Sequence, residues 1–267
     1  MEKVQIQIPT LYLNGFPKSG LHLAVRYVLG MDLKAHNPTY NWMGTNPWTV
    51  EMSNLHIWGK NVATLQEGEF VKGHTGYLKT IEALFIMLGI GVVFVYRDLR
   101  DVVVSQMFHV LNKDDERYKH PNKALYQSMK SNEDVMLAII EGADKYDGII
   151  SRWETYAPWL DSEWILPLRY EEMISNQYNT ANKIYDYSLD IMQKSSDIVG
   201  VAPPEFRNIM LQRMIGEANN RKMSPTYRKG KSGGWRDHFT PKVIDSFKRH
   251  DNGWLVKLGY EESEDWH

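Results

Sequence analysis

The chain predicts an α/β fold in which a parallel sheet is covered by helices on both faces. Three observations carry that reading. Apolar runs that end in charged residues alternate with helical stretches, and strands separated in this way pair parallel. The first run, Leu11 to Gly15, passes through a Gly/Pro turn directly into a helix. With 267 residues, 43% of them hydrophobic and 24% charged, the chain can fill a sizeable core as a single domain over 1–267; no Pro/Gly/Ser linker, repeat or low-complexity stretch divides it.

The elements follow in order. From Gly20 onward, Leu21, Ala24, Val25 and Val28 recur at helical spacing, so the helix has one core face and its N-terminus points back at the turn. Unpaired N–H groups and the positive end of the helix dipole converge there, and Lys18 and Ser19 add a charge and a hydroxyl, so the expected occupant is phosphate-like. Glu69 to His74 is a short extended run in which Lys72 and His74, two apart, face one side. Ala83 to Tyr96, the longest apolar run, is too short to cross a bilayer; it reads as a helix end, a turn at Gly89 and Gly91, and a buried strand from Val92 to Tyr96. Arg97 closes that strand. Asp98 is the expected N-cap of the next helix with Asp101 as its capping-box partner, and Ser105 lies about two turns along, where Arg97 can join it around one small anion. Ser162 to Tyr170 is a further strand leading into a helix at Glu171. In such sheets ligands sit at the carboxyl ends of the strands, where Lys18, His74, Arg97 and Tyr170 all fall. A basic glycine-rich loop, Tyr227 to Pro241, offers Arg228, Lys229 and Gly230 for a second phosphate.

Composition excludes several classes. A net charge of −2 argues against bulk nucleic acid as a partner. Cysteine is absent, so there is no disulfide framework or thiolate chemistry, as suits a reducing compartment. The N-terminal residues lack a secretory apolar region, and a soluble, cytoplasmic protein without membrane partners is expected. No carboxylate cluster suggests a Mg²⁺ site, and no metal is expected. His36, His56, His109 and His250 read as surface or core histidines, and Trp153, Trp159 and Trp164 as core. The charged run 113–123 reads as a solvated loop or a lid, and the aromatic-rich segment 40–58 as packing or an acceptor wall.

Phe16-Pro-Lys-Ser-Gly20, Arg97 with Ser105 eight residues on, and Arg228-Lys-Gly followed by Gly233, Trp235 and Phe239-Thr resemble the three cofactor motifs of the cytosolic-type sulfotransferases, in the family's order across most of the chain. Lys72-Gly-His74 resembles that family's Lys-x-His, and Tyr170-Glu-Glu-Met173 its Tyr-Glu-Asp-Met. The resemblance implies a P-loop-like, three-layer fold that binds 3′-phosphoadenosine 5′-phosphosulfate (PAPS), leaves 3′-phosphoadenosine 5′-phosphate (PAP) as product, and passes the sulfuryl group to a hydroxyl or amine of a small-molecule, glycan or peptide acceptor. Carried over residue by residue, it implies Lys18 on the leaving phosphate, with Lys72 beside the base His74 in the catalytic group. It implies Ser19, Gly20, Leu21 and His22 around the 5′-phosphosulfate. It further implies Arg97, Ser105, Arg228, Lys229 and Gly230 on the 3′-phosphate and Tyr170 at the adenine. Where the family has Thr-x-Trp, this chain has Leu21-His22-Leu23, so Leu23 would cover an adenine face by apolar contact without a π-face. The family's segment for the other adenine face has its nearest counterpart in Glu205 to Ile209. The rival readings are a P-loop kinase, against which stand a loop of one glycine, Gly15, and two residues before Lys18 and the missing Mg²⁺ ligands, and a non-catalytic nucleotide-binding module, against which stand Lys18 and His74 together. Acceptor identity and oligomeric state are not encoded in any motif of the chain.

Overall fold

The computed structural model describes residues 9–35, 62–112, 122–144, 146–195, 204–220 and 231–267. The strands are β1 (Leu11–Gly15), β2 (Lys34–Ala35), β3 (Glu69–Gly73), β4 (Gly91–Tyr96), β5 (Gly142–Ala143), β6 (Tyr146–Asp147) and β7 (Ile165–Arg169). The helices are α1 (Leu21–Leu29), α2 (Lys79–Met87), α3 (Leu99–Leu111), α4 (Lys123–Ser128), α5 (Asn132–Glu141), α6 (Ile149–Glu154), α7 (Tyr170–Ser175), α8 (Gln177–Ser195), α9 (Pro204–Asn219), α10 (Pro241–His250) and α11 (Trp254–Lys257). Single 3₁₀ turns cover Ala157–Asp161 and Gly234–Asp237. Internal contacts gather the chain into two units, 1–96 with 156–228 and 97–155 with 229–267. Among the described residues no helix is long and apolar enough to cross a membrane.

The first unit holds a five-stranded sheet in the order β2-β3-β1-β4-β7, with every pairing parallel. β1 is buried along its whole length. Successive side chains alternate between faces. Leu11 and Leu13, with Val93 and Val95, join Leu21, Ala24 and Tyr27 of α1, Ile184 of α8 and Leu211 and Met214 of α9 in one core. Tyr12, on the opposite face, packs its ring 4.8 Å from Phe85 of α2, which in turn lies 6.3 Å from Trp159. Both faces are therefore covered, as the continuous apolar strands require. Pro167 is tolerated because β7 is an edge strand. α1 ends where α9 crosses it: a side chain at Gly30 would come within 2.4 Å of Met214 Cα.

In the second unit α3 is buried along most of its length, through Leu99, Val102, Val103, Val104, Met107 and Val110. Arg100 is buried with it. The guanidinium lies 4.0 Å from the Trp235 ring and 4.6 Å from the Trp266 ring, and it pairs with Asp98 at 2.8 Å and Glu261 at 2.5 Å. A buried arginine is tolerable because it is paired, hydrogen-bonded and stacked at once.

One local expectation is corrected. Asp98 does cap α3, accepting from the Arg100 N–H at 2.9 Å, but the Asp101 carboxylate does not return to close a capping box. It accepts instead from the N–H groups of Gly233 at 2.8 Å and Trp235 at 2.9 Å. The turn Gly234–Asp237 has glycine as its N-cap and no capping side chain of its own, so its orphan donors draw the buried carboxylate across from α3.

Candidate functional site

In the first unit the site is built at the carboxyl end of β1. The Phe16 N–H bonds the Val95 carbonyl at 3.1 Å, which fixes the exit of the strand against β4. The chain then reverses through Lys18 at φ 71 and Gly20 at φ 96, both in the left-handed region. Only glycine fits at 20, since a β-carbon would stand 2.3 Å from the Tyr170 ring. No side chain caps α1, so its first N–H groups are left to whatever occupies the turn. Ser19 is wholly buried and its Oγ has no hydrogen-bond partner among the described residues. A buried orphan hydroxyl beside an uncapped helix start is the signature of a seat for an acceptor-rich anion.

The structure brings Lys18, His22, Lys72 and His74 into one electrostatic neighbourhood. Burial is the largest influence on His22, whose pKa is pushed down to about 4; Lys72, His74 when it is protonated, Lys18 and Arg26 add to it. Burial likewise lowers His74, opposed by a hydrogen bond to the Gly15 carbonyl and reinforced by Lys18 and Lys72. Burial also lowers Lys72. Both imidazoles are thus neutral near pH 7.

The tautomer of His74 follows from its partner. Nδ1 lies 2.7 Å from the Gly15 carbonyl oxygen, which can only accept, so Nδ1 carries the proton and Nε2 keeps a free lone pair. The His74 carbonyl accepts from the Tyr156 hydroxyl at 3.1 Å. In the strand register Lys72 lies opposite Leu13, on the α1 face, and His74 follows the last residue of β3.

Tyr170 is the first residue of α7 rather than the end of the strand, and its ring packs on Gly20. Leu21 and Leu23 are buried in the core under α1, at 6% and 5% exposure. Phe206 and Ile209 of α9 are exposed.

In the second unit Arg97 Nη2 donates to Asp101 Oδ2 at 3.1 Å and to the Lys231 carbonyl at 2.9 Å. Arg97 is thereby fastened to the end of the glycine-rich segment. Ser105 is half-buried on α3. Arg228, Lys229 and Gly230 lie outside the described residues, as do 40–58 and 113–121. Sequence reasoning missed Asp101 as the anchor of that segment, and Asn14 and Thr75 as the groups bonded around His74. A polar residue closing the apolar run Leu11 to Leu13 was the available signal for Asn14.

A parallel sheet whose first strand enters an uncapped helix through a turn bearing a lysine and a buried serine defines the P-loop-like class of anion-binding α/β folds. A sulfotransferase domain is matched over residues 13–259, and the chain belongs to the sulfotransferase family. It is 23% identical over 260 residues to Sulfotransferase 2A6 of Mus musculus, covering 92% of this chain and 84% of that protein. Among solved structures it is similar to mouse sulfotransferase SULT7A1 complexed with PAP, with a TM-score of 0.58 and 14% identity, covering 94% of this chain and 89% of that one. It is also similar to retinol dehydratase in a complex with retinol and PAP, with a TM-score of 0.56 and 17% identity, covering 94% and 82%. Among the described residues no group of His, Cys, Asp or Glu is arranged to hold a metal ion.

Proposed function

We propose that this chain transfers the sulfuryl group of PAPS, in line, to a hydroxyl or amine of a small-molecule, glycan or peptide acceptor in the cytoplasm, as a single catalytic domain. The observation that carries this reading is the fixed tautomer of His74: a neutral imidazole with Nε2 unprotonated, in the same electrostatic neighbourhood as Lys18. An anion seat alone would suit a nucleotide-binding module; a bare imidazole nitrogen beside it suits proton removal from a nucleophile. A small-molecule acceptor is in keeping with the retinol bound by one structural neighbour and the androsterone bound in another complex of retinol dehydratase.

The residues present fit the donor. Among the described residues Ser19 Oγ lacks a partner, the helix start lacks a side-chain cap, and Lys72, Lys18 and Arg26 act on His22 as positive charges. The N–H groups of residues 20–22 and Ser19 Oγ would hold the 5′-phosphosulfate, Arg97, Ser105, Arg228, Lys229 and Gly230 the 3′-phosphate, and Tyr170 the adenine. PAPS supplies an activated sulfuryl group. His74 Nε2 takes the acceptor proton as the acceptor oxygen bonds to sulfur. Lys18 neutralises the charge that the breaking S–O bond leaves on the phosphate oxygen, and Lys72 keeps the neighbourhood cationic. This is positioning plus charge neutralisation, as in phosphoryl transfer.

The test is a thermal-shift titration. PAP at a hundred times its dissociation constant should stabilise the fold by about 2.7 kcal/mol, and ATP with Mg²⁺ should not. A shift with ATP and Mg²⁺ alone would replace this reading with a kinase-like one.

The 3′-phosphate assignment has its own check. Arg97→Ala should weaken PAP about 10- to 100-fold, the loss of a charge-assisted contact, while adenosine 5′-phosphosulfate, which has no 3′-phosphate, binds almost unchanged. Equal weakening of both ligands by calorimetry would show that Arg97 only braces Lys231.

A further inference from the structure

Asn14 is wholly buried in β1, behind three apolar residues. A carboxamide in such a place is tolerated only if its polar atoms are bonded. Here they are bonded around His74. Oδ1 accepts from the Gly15 N–H at 2.9 Å and from the Thr75 N–H at 2.9 Å, and Nδ2 donates to the Thr75 carbonyl at 2.9 Å. The same Thr75 carbonyl accepts from Trp159 Nε1 at 2.9 Å, and Thr75 Oγ1 lies 2.5 Å from the Tyr12 hydroxyl.

The pairing of β1 with β3 ends at Asn14 opposite Gly73. Past that point the Asn14 side chain takes over from the strand ladder, holding the chain on the far side of His74 to the end of β1. One rigid amide therefore fixes both neighbours of the imidazole: Gly15, whose carbonyl accepts the Nδ1 proton, and Thr75, the residue after His74.

We propose that Asn14 is a positioning residue that holds the Gly15 carbonyl and the His74 backbone in register, so that His74 keeps its proton on Nδ1 and presents Nε2 to the acceptor. The inference rests on His74 being the base. Leucine or valine would continue the strand equally well, so strand continuity alone does not account for an amide whose oxygen and nitrogen are both bonded at this place. The charged and titratable groups facing His74 are Lys18 of the turn, Lys72 of β3 and His22 of α1. None of them would set the tautomer, because each acts through charge rather than through a bond to Nδ1.

The experiment follows the His74 ring nitrogens by two-bond ¹H–¹⁵N correlation across pH, beside calorimetric titration with PAP. The wild type should show the Nδ1–H tautomer, titrating below the ordinary histidine value of about 6.5. In Asn14→Ala the two tautomers should mix and the titration should fall further below that value, because the Gly15 bond that opposes the effect of burial is loosened, with PAP affinity kept within about threefold because Asn14 shares no partner with the nucleotide contacts. Asn14→Ser, which keeps a hydroxyl near the Gly15 N–H but loses the amide donor, gives the same expected shift if the alanine variant does not fold. Thr75→Val removes the Tyr12 contact, leaves the backbone groups that Asn14 binds, and should keep the tautomer fixed. An unchanged tautomer and titration in the Asn14 variants, or an equal change in Thr75→Val, would overturn the proposal. Failure of the wild type to bind PAP would strike the functional reading instead and leave the tautomer result standing.

Discussion

Lys18→Ala should retain the fold and lose sulfuryl transfer by about a hundred- to a thousandfold, the scale on which a single preorganised charge or donor at a developing oxyanion acts. The fold should survive because Lys18 occupies a turn whose course is fixed by neighbours: Phe16 is bonded to Val95, the Ser19 N–H to the Phe16 carbonyl at 3.1 Å, and Gly20 is pressed on Tyr170. Lys18 itself lies in the left-handed region at φ 71, which costs any side chain about 1 kcal/mol or more. That strain sharpens the test. Lys18→Gly should melt no lower than the wild type, since it removes the penalty, and still be as inactive as the alanine variant. The measurement is single-turnover transfer from PAPS to whichever acceptor a mass-spectrometric screen returns, with melting followed by circular dichroism. Near-normal turnover in either folded variant would remove Lys18 from the mechanism.

The strand-turn-helix was legible in the sequence because it rests on local chemistry: an apolar run, a Gly/Pro turn and the spacing of Leu21, Ala24 and Val28 each act over a few residues. The same holds for β3, for β4 after the turn at Gly89, and for Asp98 as a cap. What local chemistry does not encode is where a side chain goes when two segments far apart in the chain compete for it. Asp101 stands at the capping-box spacing from Asp98, yet the orphan donors of Gly233 and Trp235, more than a hundred residues away, take its carboxylate. Asn14 and Thr75 are likewise joined over 61 residues, a pairing that exists only once β1 and β3 lie side by side. Tyr170 was placed at the site by its motif, but its packing on Gly20 depends on the approach of β7 and α7 to the turn. The cation neighbourhood was half visible: Lys18 and Lys72 stand out as charges at strand ends, whereas His22 becomes a neutral imidazole through burial, which periodicity does not report.

His74→Ala should bind PAP nearly as the wild type does and lose most of its transfer rate, about 10²- to 10⁴-fold, because a general base contributes only once an acceptor hydroxyl is aligned. The pH dependence gives the sharper reading. The active form of His74 is neutral, and burial with the cations Lys18 and Lys72 holds its pKa below the ordinary value. The acid limb of the wild-type rate should therefore lie below about 6.5, with more than half of the activity left at that pH. Stability follows the same sign. A histidine whose pKa is lower folded than unfolded binds its proton preferentially in the unfolded chain, so stability is complete above the unfolded value and falls as pH drops through the interval below it. For His22 that interval runs from about 6.5 down to about 4, and both His22→Ala and His74→Ala should flatten the acid fall in melting temperature. Only His74→Ala should also abolish the acid limb of the rate. Affinity for PAP and single-turnover rate measured side by side across pH separate the two imidazoles: a His74 variant that keeps both its rate and its acid limb would transfer the role of base to His22, the other neutral imidazole of the group.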